Sequence, residues 1–263
     1  MGKKVIVTVH GLDHQRQKWG QFASAYIMLG EKNAVRFANQ IIVLSRSAQE
    51  YFQKLYKRET VLIHNGIDPM VPKAAHEISR KYGLKKNSYL LFLGRLVPEK
   101  GVHYLIEAYQ GLHTDLKLVI AGGSSDTDSY TQYLHEMAKD NPNILFTGFV
   151  EGNLLEELFS NAYLYILPSD LEGMPISLLE AMSYGCCCLT SDIPECTDVT
   201  GEQGFSFHHG DVSSLREKLQ ELCDSPERVK ATGAAGKERV TSNFSWEKTT
   251  DETLALYRKA LKR

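Results

Sequence analysis

The sequence has 263 residues, 43% apolar and 24% charged, so wholesale disorder is excluded and one large or two modest domains are expected. Thirty Lys and Arg against 32 Asp and Glu give a formal charge of -2, which argues against a nucleic-acid binder while leaving room for a local basic pocket. No apolar run approaches the ~20 residues of a membrane span, and the stretch after Met1-Gly2-Lys3-Lys4 stops at His10, too short for a signal peptide. The expected location is cytoplasmic.

Strands and helices alternate along the chain. Lys4 to His10 predicts a strand, Gln21 to Asn39 a helix, Ile41 to Ser45 a strand, Ser47 to Tyr56 a helix and Val61 to His64 a strand ending at Asn65-Gly66. From Ile67 to about Tyr82 the sequence lacks periodicity and carries two prolines, which reads as a linker. A second series opens with Ser88 to Leu93, an unbroken apolar run of the kind buried on both faces of a parallel sheet. Helices follow at Gly101 to Gln110, Tyr130 to Asp140, Leu154 to Ala162 and Pro175 to Tyr184. Between and after them lie strands at Leu116 to Ala121, Ile144 to Val150, Tyr163 to Leu167 and Cys187 to Ser191. Three helices close the chain, near Ser213–Cys223, Glu227–Ser242 and Trp246–Leu261. The alternation predicts α/β architecture: one complete doubly wound parallel sheet, preceded by a thinner α/β unit of three strands.

Ligands of such sheets sit beyond the carboxyl ends of the strands. After Ser88–Leu93 comes Gly94-Arg95-Leu96-Val97-Pro98-Glu99-Lys100-Gly101, which brings one Arg and one Lys to a helix N-terminus, a setting for phosphate. After Tyr163–Leu167 comes Pro168-Ser169-Asp170-Leu171-Glu172-Gly173-Met174-Pro175-Ile176-Ser177-Leu178-Leu179-Glu180. Pro175 suits the first turn of a helix, leaving the N–H groups of Ile176, Ser177 and Leu178 free above the sheet. Glu172 and Glu180 would repel a phosphate, but a carboxylate that accepts from vicinal hydroxyls can hold a ribose.

Five cysteines, three of them adjacent at Cys186, Cys187 and Cys188, contain no Cys-x2-Cys pair and read as small buried hydrophobes. His208-His209 have no acidic or Cys partner at a useful spacing, so no metal site is expected. Phe22, Tyr26 and Leu29, at helical spacing beside Phe37, read as core packing. Arg16 and Lys18, in the loop after His10, are candidate acceptor contacts or a solvated loop.

Glu172 and Glu180, with seven residues between them in Glu-Gly-Met-Pro-Ile-Ser-Leu-Leu-Glu-Ala-Met, resemble the Glu-x7-Glu signature of retaining glycosyltransferases. With Asn65-Gly66-Ile67-Asp68, Gly94-Arg95, Lys100-Gly101, Gly148-Phe149-Val150 and Phe244-Ser245-Trp246, nearly the whole chain resembles glycosyltransferase family 4, the group 1 transferases of GT-B fold. The resemblance implies a nucleotide-diphospho-sugar donor, a carbohydrate or lipid-linked acceptor, and no metal or other cofactor. It implies that Gly94, Arg95 and Lys100 hold the donor diphosphate and that Glu180 holds the ribose. Phe149 and Val150 would line the base pocket through their backbone. Gly173, Met174, Pro175, Ile176 and Ser177 would meet the distal phosphate and sugar. Glu172 would face the transferred sugar, and His10, closing the first strand, would be the active-site histidine.

It also implies a partial acceptor-side domain at 1–72, a donor domain at 73–245 and a returning helix at 246–263. Members of the family carry a larger domain ahead of the linker, and His64 stands where they often have proline. A short first sheet would leave an unpaired strand edge and open apolar surface. A partner-dependent or non-catalytic sugar-nucleotide-binding chain, with a separate chain supplying the rest of that domain, is therefore the alternative. A sugar-nucleotide epimerase of the same fold is a third. Peripheral association with the inner membrane face is a further expectation.

Overall fold

Tyr89, Leu90, Leu91 and Phe92 offer no polar side to water, and all four are fully buried at the centre of a six-stranded parallel sheet. The computed structural model describes residues 3–12, 14, 21–124 and 128–262. Strands β1 (Ile6–Val9), β2 (Gln40–Val43) and β3 (Val61–Leu62) form one parallel sheet in the order β1-β2-β3. The second sheet comprises β4 (Tyr89–Leu93), β5 (Lys117–Ala121), β6 (Ile144–Gly148), β7 (Leu164–Leu167), β8 (Cys188–Ser191) and β9 (Phe205–Phe207). Its order is β6-β5-β4-β7-β8-β9. The chain steps outward from β4 to β6, then returns to β7 on the other side of β4. That reversal opens a crevice between the loops that follow β4 and β7.

The helices are α1 (Gln21–Phe37), α2 (Arg46–Tyr56), α3 (Glu77–Tyr82), α4 (Val102–Gln110), α5 (Asp128–Ala138) and α6 (Gly152–Asn161). They continue as α7 (Ile176–Ser183), α8 (Pro194–Thr200), α9 (Val212–Cys223), α10 (Pro226–Asn243) and α11 (Trp246–Leu261). On one face of the first sheet, Ile41 and Val43 pack with Phe52 of α2 and Val35 of α1. On the other, Leu256 of α11 packs with Ile42 and Ile63. The returning chain is tied in at its crossing point: Ile67 N–H donates to Phe244 O at 2.6 Å, and Thr249 Oγ1 donates to His64 O at 2.9 Å.

The linker reading of Ile67 to Tyr82 needs correction, because its last part is α3. Its N-cap, His76, supplies no side-chain cap. The buried carboxylate of Glu157 in α6 accepts instead from the N–H groups of His76 and Ile78, at 2.9 and 3.1 Å. A cap borrowed from so far along the chain leaves no local signal. Helix α8 and strand β9 were also unanticipated. The core reading of α1 is overturned: Phe22 is 89% and Tyr26 73% exposed, and Leu29 and Phe37 are exposed too. The outer edge of β1 pairs with no strand among the described residues. No helix among the described residues is long and apolar enough to cross a membrane.

Candidate active site

The loop after β4 is anchored by its apolar members and presents its basic ones. Leu96 and Val97 are buried, and Leu96 N–H donates to Gly123 O at 3.0 Å. Arg95 between Gly94 and Leu96 is exposed, and its guanidinium has no partner among the described residues. The loop after β5 approaches so closely that a Cβ on Gly122 (φ +141°) would lie 1.8 Å from Gly94 O, which explains glycine there. A 3-10 turn at Pro98–Lys100 then aims Lys100 across the crevice. Its neighbour Glu99 is buried, and neither carboxylate oxygen meets a donor among the described residues.

On the opposite wall, Glu172 is held by one oxygen. Ser191 Oγ donates to Ser169 O at 2.5 Å, Ser169 Oγ donates to Glu172 Oε1 at 2.7 Å, and Lys100 Nζ donates to the same oxygen at 2.5 Å. The pair is largely shielded, with the Lys100 and Glu172 side chains 13% and 8% exposed. Two residues predicted for different parts of the donor are thus each other's partners. Helix α7 begins one residue later than expected, with Pro175 as its N-cap. Leu178 N–H is therefore not free; it donates to Pro175 O at 3.1 Å. The N–H groups of Ile176 and Ser177 have no acceptor among the described residues. Ser177 Oγ lies 2.8 Å from the buried Tyr165 hydroxyl. Glu180 is half-buried, receives no side-chain hydrogen bond among the described residues, and is pushed above the usual carboxylate pKa by loss of solvent.

The first sheet meets this wall directly. A Cβ on Gly173 would sit 1.9 Å from His10 O, so glycine permits the contact between the end of β1 and the loop after β7. The exposed His10 lines a cavity of about 260 Å³ together with Glu172, Gly173, Ser47, Tyr51 and Glu195. Behind it lies a polar network: Tyr51 and Tyr56 hydroxyls donate to Glu31 Oε1 at 2.8 and 2.6 Å. Burial beside that carboxylate raises the pKa of both phenols, Tyr56 to about 12.

Of the predicted residues, the structure brings Gly94, Arg95, Lys100, Glu172, Gly173, Pro175, Ile176, Ser177 and Glu180 to one edge of the second sheet, with His10 facing them. Met174 is turned away: it is buried at the junction, and its sulfur accepts from Asn65 N–H at 3.1 Å. Phe149 is 77% exposed and Val150 is buried, both just beyond β6. Arg16 and Lys18 lie outside the described residues. His208 and His209 do have acidic partners, which the fold supplies: Nδ1 of His208 is 3.0 Å from Asp192 and Nε2 of His209 is 3.7 Å from Asp170. No cluster among the described residues suits a metal ion. The five cysteines are unbonded, and burial pushes their thiol pKa values up. Missed by the sequence reading were Ser169, Ser45, Ser47 and Glu195. Glu195 follows β8, and inspection of every strand's carboxyl end would have found it.

An open α/β sheet with cations, free amides and a spare carboxylate at its switch point is a nucleotide-binding architecture. Comparison with known proteins identifies which one. The model described as "Glycosyl transferases group 1" matches residues 75–239, and that of "Glycosyltransferase Family 4" matches residues 1–70. The chain belongs to the group 1 glycosyl transferases and is a glycosyltransferase of GT-B fold. It is 26% identical to alpha-maltose-1-phosphate synthase of Mycolicibacterium smegmatis, over 97% of this chain and 72% of that protein. It is 25% identical to the capsular polysaccharide biosynthesis glycosyltransferase CapM of Staphylococcus aureus, over 98% of this chain and 70% of that one. Among solved structures, Anabaena Alr3699/HepE in complex with UDP and glucose superposes with a TM-score of 0.87 at 18% identity, covering 98% of this chain and 72% of that chain.

Proposed function

We propose that this chain transfers a sugar, with retention of anomeric configuration, from a nucleotide-diphospho-sugar to an acceptor hydroxyl in cell-surface polysaccharide or glycolipid synthesis. The work would be cytoplasmic, at the inner face of the membrane. The observation that carries the reading is the switch point between β4 and β7. There Arg95, Lys100, the N–H groups of Ile176 and Ser177 and the Glu180 carboxylate share one edge, and all but Lys100 lack a partner among the described residues.

The difficult step is departure of the nucleoside diphosphate while the anomeric carbon gains positive charge. Arg95 and Lys100 offset the charge on the leaving diphosphate, and the α7 N-terminus offers it two N–H donors. These groups take the place of a divalent cation, so no metal is required. Glu180 accepts from the ribose hydroxyls. No protein nucleophile is invoked: the leaving phosphate takes the acceptor's proton on the face from which it departs. The complexes of HepE with UDP and with UDP-glucose support a nucleotide-sugar donor. Glu172 and His10 line the cavity where sugar and acceptor would meet.

The test is incubation with UDP-, ADP- and GDP-sugars in EDTA, followed by proton NMR of the first-formed sugar product. An α-linked donor should give an α product; an inverted product would remove the retaining mechanism.

A second reading is favoured by one observation. The outer edge of β1 pairs with no strand among the described residues, and α1 exposes Phe22, Tyr26 and Leu29. In this reading, the chain binds its donor but needs further protein on that edge, from a separate chain, to transfer it. Turnover by the chain alone at about 1 s⁻¹ or faster, within the ordinary enzyme range, would dismiss it.

A further inference from the structure

A cavity of about 380 Å³ opens where the returning chain crosses the junction, and it shares no residue with the donor edge. Three cations line it, each from a different helix: Arg46 opens α2, Arg239 lies in α10 and Lys248 in α11. The Arg239 guanidinium is fixed against the last turn of α8. Its Nε donates to Val199 O at 2.8 Å and its Nη2 to Asp198 O at 2.9 Å, which leaves Nη1 without an acceptor among the described residues. Gly201 (φ +54°) makes room for it, because a Cβ there would lie 2.6 Å from Arg239 Cζ. Arg46 and Lys248 are exposed and enter no ion pair among the described residues. Lys248 Nζ makes one long bond, to Asn243 O at 3.5 Å.

The same lining carries two acceptors. His64 Nδ1 lies 2.9 Å from Leu44 O. A carbonyl oxygen only accepts, so Nδ1 carries the hydrogen and Nε2 of the neutral ring is the acceptor. The Asp198 carboxylate, also in the lining, receives no hydrogen bond among the described residues. Three cations against one carboxylate suit an anion, and guanidinium groups suit phosphate in particular. Acceptors have nothing to offer a phosphate dianion, but they take hydrogens from hydroxyls. The volume lies within the range of pockets for small organic ligands and exceeds what a bare phosphate fills.

We infer that this cavity binds a sugar phosphate, with the phosphate among Arg46, Arg239 and Lys248 and the hydroxyls on Asp198 and His64. The ligand ties α2, on the first sheet, to α8 and α10, on the second. It reinforces a junction where the Ser47 hydroxyl already donates to Glu195 Oε1. The inference does not rest on the glycosyl-transfer reading.

The test is calorimetric titration of the full chain, in phosphate-free buffer, with glucose 6-phosphate, mannose 6-phosphate and fructose 6-phosphate, and with inorganic phosphate for comparison. At least one sugar phosphate should bind, and more tightly than inorganic phosphate. Arg46→Ala/Lys248→Ala changes two exposed side chains and should weaken it about tenfold or more. Asp198→Ala removes a hydroxyl acceptor and a like charge together, so it should weaken the sugar phosphate and tighten inorganic phosphate. A merely structural role would move both the same way. Arg95→Ala/Glu180→Ala should bind the sugar phosphate as wild type does, whether or not the chain binds a nucleotide. Loss of binding in that variant places the ligand at the donor edge and overturns the inference. It is equally overturned if no sugar phosphate binds, if Arg46→Ala/Lys248→Ala binds as wild type does, or if inorganic phosphate binds as tightly as the sugar phosphates.

Discussion

Exchanging Glu172 for Gln should tighten nucleotide binding while slowing transfer. Lys100 is committed to Glu172 at 2.5 Å, with both side chains largely out of water. A hydrogen bond between charged groups contributes about 1.5–3 kcal/mol. A diphosphate that recruits Lys100 must break or share that bond, and it must also approach the Glu172 charge. Removing the carboxylate's charge should return about 1–2 kcal/mol, a gain of roughly 5- to 30-fold in affinity. Calorimetry with UDP, ADP and GDP reads it directly. The complementary variant needs care: Lys100→Met alone leaves Glu172 shielded without its cation, a loss of about 3–5 kcal/mol in stability. The double variant Lys100→Met/Glu172→Gln should recover that stability but not the diphosphate affinity. If Glu172→Gln binds every nucleotide no more tightly than wild type, Lys100 is not shared between the carboxylate and the donor.

Arg95→Ala should weaken a nucleoside diphosphate more than the bare nucleoside in the same calorimeter, with EDTA changing neither. Activity lost to EDTA and restored by magnesium or manganese would contradict the role given to the two cations. Glu180→Gln should weaken nucleotide binding by about 1–3 kcal/mol. It should nevertheless raise the melting temperature at neutral pH. The folded carboxyl has a raised pKa, so its contribution to stability is present below the unfolded pKa and lost as pH rises through the folded one. The stabilisation by Gln should therefore disappear in thermal scans at acid pH. Gly173→Ala places a methyl 1.9 Å from His10 O. It should separate the end of β1 from the loop after β7 and reduce transfer about 100-fold, with nucleotide affinity nearly unchanged.

How much of this was legible depends on where the determining contacts lie. Strand β4 was readable because five apolar residues in a row signal burial on both faces without any partner being known. The Glu-x7-Glu block was readable because its glycine, proline and carboxylates are local to one strand-to-helix turn. Helix α3 was not, since its N–H groups are capped by Glu157 from another helix. The apolar stripe of α1 has the spacing of a core helix, and periodicity cannot report that this face is exposed. The Lys100–Glu172 pair joins two loops 72 positions apart in sequence, and the Ser47–Glu195 contact spans 148. Sequence could nominate those side chains for chemistry, but not show that two of them hold each other.

The central claim is that a nucleotide sugar binds at the edge formed by Arg95, Lys100, the start of α7 and Glu180. The most direct measurement is a calorimetric titration of the chain, in EDTA, with UDP-, ADP- and GDP-sugars, repeated on an Arg95→Ala/Glu180→Ala variant that melts cooperatively. The account predicts that at least one donor binds in the ~1 μM to 1 mM range typical of enzyme substrates and that the double variant abolishes the heat. Equal binding by that variant, or no binding of any nucleotide sugar to the wild-type chain, would contradict it.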